Sequence, residues 1–200
     1  MLTTLQNWDR WLFTKVNQEW TNSFLDNVFP LWREAITWVP LYIFLLLFVG
    51  INFGRRALPW IFCLALTVAL SDQLSSHLIK PLVNRPRPCL DPLLQSRIRL
   101  LLGYCSESRG FVSSHASNHF AMAFFLYHTL KRLFRKWGWA WFIWAFSISY
   151  AQVYIGVHYP GDVICGSLLG VAVGNLTAWL FQKWPGSSLF IHQPDDLVST

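Results

Sequence analysis

Charge is what this chain has least of. Only 13% of its 200 residues are Asp, Glu, Lys or Arg, with 10 acidic against 16 basic. Soluble domains carry about 25% charged residues, so this is not an ordinary soluble composition. The modest excess of +6 forms no basic stripe interleaved with surface aromatics, which speaks against a nucleic-acid partner. Cysteine is scarce as well: Cys63, Cys89, Cys105 and Cys165 have no C-x-x-C spacing of the metal-binding kind. From Met1 to Gln18 there is no basic region followed by a short apolar core, so insertion is expected to rely on membrane helices rather than on a secretory signal. Internal repeats, low-complexity runs and long linkers are also missing, which points to one compact unit.

Apolar residues make up 54% of the chain, and twelve residues are tryptophan. The apolar residues gather into stretches approaching the roughly 20 needed to cross a bilayer. Spans are expected at 36–53, 58–79, 114–131, 139–156 and 162–182. The first is uniformly apolar around Leu41–Val49, whereas the second ends in Ser71, Asp72, Gln73, Ser75, Ser76 and His77. Such polar groups are costly in lipid and should face the bundle interior or the water boundary; Asp72 is expected to be a buried hydrogen-bonding residue. The fifth span carries Gly166, Gly170 and Gly174, a small-residue stripe that lets a neighbouring helix approach closely. Before the spans, Leu5, Trp8, Leu12, Val16, Trp20 and Phe24 recur at helical spacing with Asp9, Lys15 and Glu19 on other faces. That pattern suits an amphipathic interfacial helix as well as a plain packing helix. The expected fold is all-α: a polytopic membrane bundle of about five spanning helices. It divides into an N-terminal amphipathic segment (1–35), a membrane domain (36–183) and a polar tail (184–200).

The short loops Gly54–Arg56 and Lys131–Lys136 fall on one side, and the positive-inside rule makes that side cytoplasmic. Loop 80–113 then lies outside, although it holds Lys80, Arg85, Arg87, Arg97, Arg99 and Arg109. Charges retained against the rule are explained if several of them bind an anion. Cys89 and Cys105 share this outer, oxidising side, so a disulfide closing the loop is a candidate.

Three motifs fall on that outer side. Lys80 precedes Arg87 and Pro88 at the end of a span; Val112-Ser113-Ser114-His115 opens the third; Gly156-Val157-His158-Tyr159-Pro160-Gly161-Asp162 opens the fifth. Phosphoryl transfer needs such parts. Cations and helix-terminal N–H groups neutralise phosphoryl oxygens. A neutral imidazole attacks phosphorus if its other nitrogen faces a carboxylate, a part that Asp162 can play for His158. A second imidazole, His115, protonates the leaving alkoxide. His115 with His119 also has zinc-type i, i+4 spacing, but lacks an evident third ligand. His77, His119, His128 and His192 are assigned structural or interfacial roles, and Arg85 a snorkelling one.

The chain here resembles the type 2 phosphatidic acid phosphatase superfamily, whose pattern is K-x6-R-P, P-S-G-H and S-R-x5-H-x3-D. Lys80, Arg87 and Pro88 match the first motif. Ser113 and His115 match the second, with Val112 and Ser114 in place of its proline and glycine. His158 and Asp162 match the third, but Ala151 and Gln152 stand where it has serine and arginine. The resemblance covers about residues 58–182 and implies a phosphohistidine on His158, a leaving-group acid at His115 and no metal or organic cofactor. It also implies phosphate contacts from Lys80, Arg87, Ser113 and the backbone at Ser114. Gln152 keeps hydrogen-bond donors but loses the fixed charge and fork of arginine; one of Arg85, Arg97, Arg99 or Arg109 is a candidate to compensate.

The expected function is an integral membrane phosphatase acting on polyprenyl diphosphate, phosphatidic acid or phosphatidylglycerol phosphate. The expected partners are the phosphorylated lipid and the bilayer, with no obligatory protein partner evident. The expected location is a bacterial inner membrane with an outward-facing site. A phosphotransferase with another acceptor, or a weakened lipid-phosphate-binding member because of Gln152, are the alternatives.

Overall fold

The computed structural model describes residues 2–94, 97–106, 108–185 and 187. Most of the expected tail 184–200, and His192 within it, lie outside the described residues. Among the described residues every regular element is helical. Five helices form the bundle: α3 (Val39–Phe53), α4 (Ala57–Asp72), α6 (Ser114–Phe134), α7 (Ala140–Tyr154) and α8 (Pro160–Gln182). The first two are part of an apolar helical stretch over Ala35–Leu90, and that stretch and α8 are each long and apolar enough to cross a membrane. α4 does not stop at Asp72. It runs on through a π-helical stretch, Gln73–Ile79, into the short α5 (Lys80–Val83), which ends where Asn84 turns left-handed. This extension lifts Lys80 to one end of the bundle.

Composition and packing agree on a membrane setting. Ile51 on α3, Phe62 on α4, Ile143 on α7 and Leu168 on α8 are 81%, 63%, 70% and 64% exposed. Large side chains open on every flank of a bundle make a lipid-facing surface, since water would tolerate no apolar patch of that extent. Inside, polar groups pair with one another: Thr67 with Thr177 at 2.7 Å, Ser71 with Ser117 at 2.7 Å, Trp60 with Thr129 at 2.9 Å. At the polar end of the second span Ser71 and Ser75 face inward, Gln73 and His77 are exposed, and half-buried Asp72 accepts from Asn118 and Ser76, both at 3.3 Å.

The glycine stripe of α8 lies directly on α6. A Cβ at Gly166, Gly170 or Gly174 would collide with the carbonyl oxygens of Ser113, Ser117 and Ala121. Close approach of these two helices sets the distance between the second and third motifs.

The N-terminal segment forms α1 (Leu2–Thr14), a π turn over Lys15–Glu19 and α2 (Ser23–Trp32), capped by Asn22. Its apolar stripe divides: Leu5, Trp8, Trp20 and Phe24 are exposed, whereas Val16 is buried with Phe13 in the core and Leu12 packs against them. Polar residues face the protein as well. Asp9 accepts from the Gly161 N–H at 2.7 Å, Asn17 donates to the Arg99 and Tyr154 carbonyls at 2.8 Å each, and Asp26 binds Arg99 at 2.6 Å. α2 runs antiparallel along α7, with Asp26 at Tyr154, Phe29 at Tyr150 and Trp32 at Ser147.

Candidate active site

Four helix ends and one loop meet at one end of the bundle, the end to which Lys80 is lifted. Each brings a side chain with a chemical task.

His158 sits just before α8, whose first residue is Pro160, and is almost completely buried. Arg87 Nη1 lies 3.4 Å from its Nε2. A guanidinium only donates, so Nε2 is the accepting nitrogen. Burial, partly countered by Asp162, pulls the imidazole down to about 4. The ring is therefore neutral near pH 7, with its one proton on Nδ1. That proton points toward Asp162 Oδ2 at 3.6 Å, longer than a hydrogen bond but close enough to favour this tautomer.

Asp162 is fully buried and does more than face His158. Its Oδ2 accepts from the Tyr159 N–H at 3.0 Å, capping α8, and its Oδ1 from Arg85 Nη1 at 2.8 Å. Arg85 continues to Asp9 at 2.6 Å and lies over the Tyr159 ring. The snorkelling role expected for Arg85 is therefore corrected: it is locked between two carboxylates, because burying Asp162 without a cation would be costly. Its sequence neighbourhood gives no signal for this, since Asp9 is 76 residues distant.

Lys80 donates to Ser114 Oγ at 2.8 Å, and the same oxygen meets Ser75 at 3.0 Å and Ser76 at 2.9 Å. The serine that replaces the motif's glycine thus anchors the lysine. Ser113 is the N-cap of α6, its hydroxyl accepting from the Ala116 N–H at 3.5 Å and its own N–H donating to the Asp162 carbonyl at 3.0 Å. Its contribution is to hold the helix terminus, with the positive end of α6 facing the site. Arg87 is gripped by the Ser108 carbonyl and hydroxyl at 2.9 and 2.8 Å and by the Val157 carbonyl at 2.9 Å. Ser108 was not singled out in the sequence.

His115 lies in the first turn of α6, within electrostatic range of His158 and Lys80. Its Nε2 accepts from Arg33 Nη2 at 3.3 Å. His119, one turn later, bonds the His115 carbonyl through Nδ1 at 2.8 Å and packs on Trp144, in keeping with a structural role. Gln152 is fully buried, and neither side-chain atom has a hydrogen-bond partner; its carbonyl accepts from the Val157 and His158 N–H groups.

None of the four arginines considered as replacements for the missing cation takes that place. Arg85 is held by Asp162 and Asp9, Arg99 by Asp26, Arg109 by Asn84 at 2.5 Å, and Arg97 is exposed. The third cation at the histidines is Arg33, from the segment before the spans. Cys89 and Cys105 are joined as a disulfide, as the shared loop allowed.

A bundle of membrane helices gathering a buried and a half-buried histidine, two cations and a buried carboxylate at one end is the architecture of a known class. The family model of the PAP2 superfamily matches residues 56–185, and the chain belongs to that superfamily; it is a membrane phosphatase. It is 35% identical to the lipid A 4′-phosphatase of Bacteroides thetaiotaomicron over 162 residues, spanning 79% of this chain and 68% of that one. The lipid A 4′-phosphatase of Porphyromonas gingivalis is 32% identical over 175 residues, spanning 84% and 72%. The fold matches the crystal structure of the PAP2 type phosphatidylglycerolphosphate phosphatase of Bacillus subtilis with a TM-score of 0.69 at 19% identity, covering 92% of this chain and 89% of that one.

Proposed function

We propose that this chain hydrolyses a phosphomonoester on a membrane glycolipid, lipid A 4′-phosphate being the substrate favoured by similarity, through a phosphohistidine on His158. The observation that carries this is buried His158 held between Asp162, 3.6 Å from Nδ1, and Arg87, 3.4 Å from Nε2.

In the first step Nε2 of His158 attacks phosphorus and the P–O ester bond breaks. The departing alkoxide takes a proton from the His115 imidazolium. Lys80 and Arg87 neutralise the equatorial oxygens, and Asp162 stabilises the positive charge that His158 acquires. Water then attacks the phosphohistidine, giving a proton back to His115 and releasing phosphate.

An apolar cavity of about 450 Å³ supports a lipid substrate. It is lined by Tyr42, Leu45, Leu64, Val68 and Met122, and by Asn118 and His119 next to His115 on α6. A head group at the histidines would leave an acyl chain beside that lining. The disulfide, together with basic loops at the other end of the bundle, supports an outward-facing site.

The test is phosphate release by purified protein from lipid A, phosphatidic acid, phosphatidylglycerol phosphate and undecaprenyl diphosphate, each with chelator present. Release is expected with lipid A, and His158→Ala should lose at least about 10³-fold in kcat. Full activity in that variant would sink the mechanism. Release only from another lipid would shift the substrate but leave the chemistry standing.

A further inference from the structure

We propose that Arg33, at the end of α2, binds the phosphoryl group and takes the place of the arginine that Gln152 lacks. This rests on the phosphatase reading above, yet it concerns a residue outside the part of the chain matched by the family model.

Arg33 is a buried cation without an adequate anion. Its side chain is 11% exposed, and among the described residues its one carboxylate contact is Glu34 at 3.3 Å, itself 49% exposed. Its Nε has no partner, and Nη2 rests on the neutral acceptor His115 Nε2. Arg85, 23% exposed, shows what full compensation looks like here, two carboxylates at 2.8 and 2.6 Å, whereas buried Arg87, the other cation assigned to phosphate, is like Arg33 held by neutral acceptors. Keeping a guanidinium buried on so little is costly unless an anion joins it in the working state.

Position points to which anion. Arg33 touches the proposed leaving-group acid and acts electrostatically on Arg87. It therefore lies on the same space as the two cations of the motifs, approached from α2 rather than α7. Gln152 belongs to the buried stripe Trp141, Ala145, Ile148 and Gln152 on α7, at its end nearest the histidines. Its amide has no partner, consistent with a position that has lost an ionic task. An arginine reaching in from α2 gives the site three cations although α7 supplies none.

The exchange has a second consequence. While Arg33 donates to His115 Nε2, that nitrogen cannot carry the proton the leaving group needs. A phosphate dianion drawing Arg33 onto its oxygens frees Nε2 to be protonated. Substrate binding would thereby arm the acid.

The experiment measures phosphate affinity separately from turnover. The unfolding temperature of detergent-solubilised protein is followed against inorganic phosphate for the parent chain, Arg33→Gln, Arg33→Lys, the double variant Arg33→Gln with Gln152→Arg, and His158→Ala. Arg33→Gln should weaken phosphate binding about tenfold or more, the scale of one lost charge-assisted contact. Arg33→Lys should fall between, and the double variant should regain most of the affinity and turnover. Rescue from position 152 cannot come from a merely structural Arg33. Unchanged phosphate affinity in Arg33→Gln, or no recovery in the double variant when it unfolds like the parent, overturns the proposal. His158→Ala separates the two claims: if it keeps turnover, the phosphohistidine reading fails while the Arg33 assignment still stands or falls on affinity. A parent chain whose stability ignores phosphate overturns both.

Discussion

At the residue scale the site is governed by which buried charges have partners. Lys80 does not hang free at a membrane edge; Ser114 holds it, with Ser75 and Ser76 behind. Ser114→Gly, which restores the motif residue, should therefore loosen Lys80. A hydrogen bond to a charged group is worth about 1.5–3 kcal/mol, so a roughly tenfold or larger drop in kcat/KM is expected in steady-state kinetics. His158 offers a pH test. Its folded value of about 4 lies below the ordinary 6.5, so the unfolded chain binds the extra proton first as pH falls. Stability from this source is complete above about 6.5 and is lost between there and about 4. The unfolding temperature should drop over that window, and drop less steeply in His158→Ala.

That the motif histidines, Asp162, Lys80 and Arg87 gather at one end of the bundle was legible in the sequence, because each motif sits at the end of an expected span; the roles given to them are the proposal above. The places of Arg33 and Arg85 were not legible. Arg33 meets its histidine 82 residues away and Arg85 its two carboxylates 76 and 77 away. In a linear reading each is one more basic residue near a membrane boundary, and only the folded distances separate a buried cation from a snorkelling one.

Among the elements, α6 and α8 decide the geometry. Gly170 faces the Ser117 carbonyl so closely that any side chain must push the helices apart. Gly170→Val should cost about 1–3 kcal/mol or more by overpacking. It should also lower kcat beyond the loss of folded protein, because Ser113 and Asp162 bond across the same seam. Measuring activity per folded molecule tests this. The sequence showed the stripe and its packing role; it did not show that the partner was α6, since small residues at four-residue steps name no neighbour. The N-terminal segment was read as suited to an interface as well as to packing, and it does both: Leu5 and Trp8 are exposed, while Phe13 and Val16 are buried in the core.

At the scale of the whole molecule, five spans expected from hydropathy match five helices within a few residues at most ends. The loop between the second and third was the least legible part, having no periodicity to read. Its disulfide encloses a segment of 16 residues, a cross-link worth about 3 kcal/mol. More locally, it ties the helical turn after Arg87 to the loop before Ser108, which grips that guanidinium. Cys89→Ser with Cys105→Ser should lower the unfolding temperature and weaken phosphate binding several-fold, whereas Cys63→Ser should leave binding untouched.

The exposed face of α1 has one further consequence. Asp9 sits two contacts from the proposed nucleophile, through Arg85 and Asp162, on a helix whose outer side exposes Leu5, Trp8 and Trp11. A bilayer covering those side chains would act as a clamp, pressing the first helix and its carboxylate onto the reaction centre. An enzyme built in this way would lose its catalytic geometry in a harsh detergent before its spans came apart, and would recover it on return to lipid.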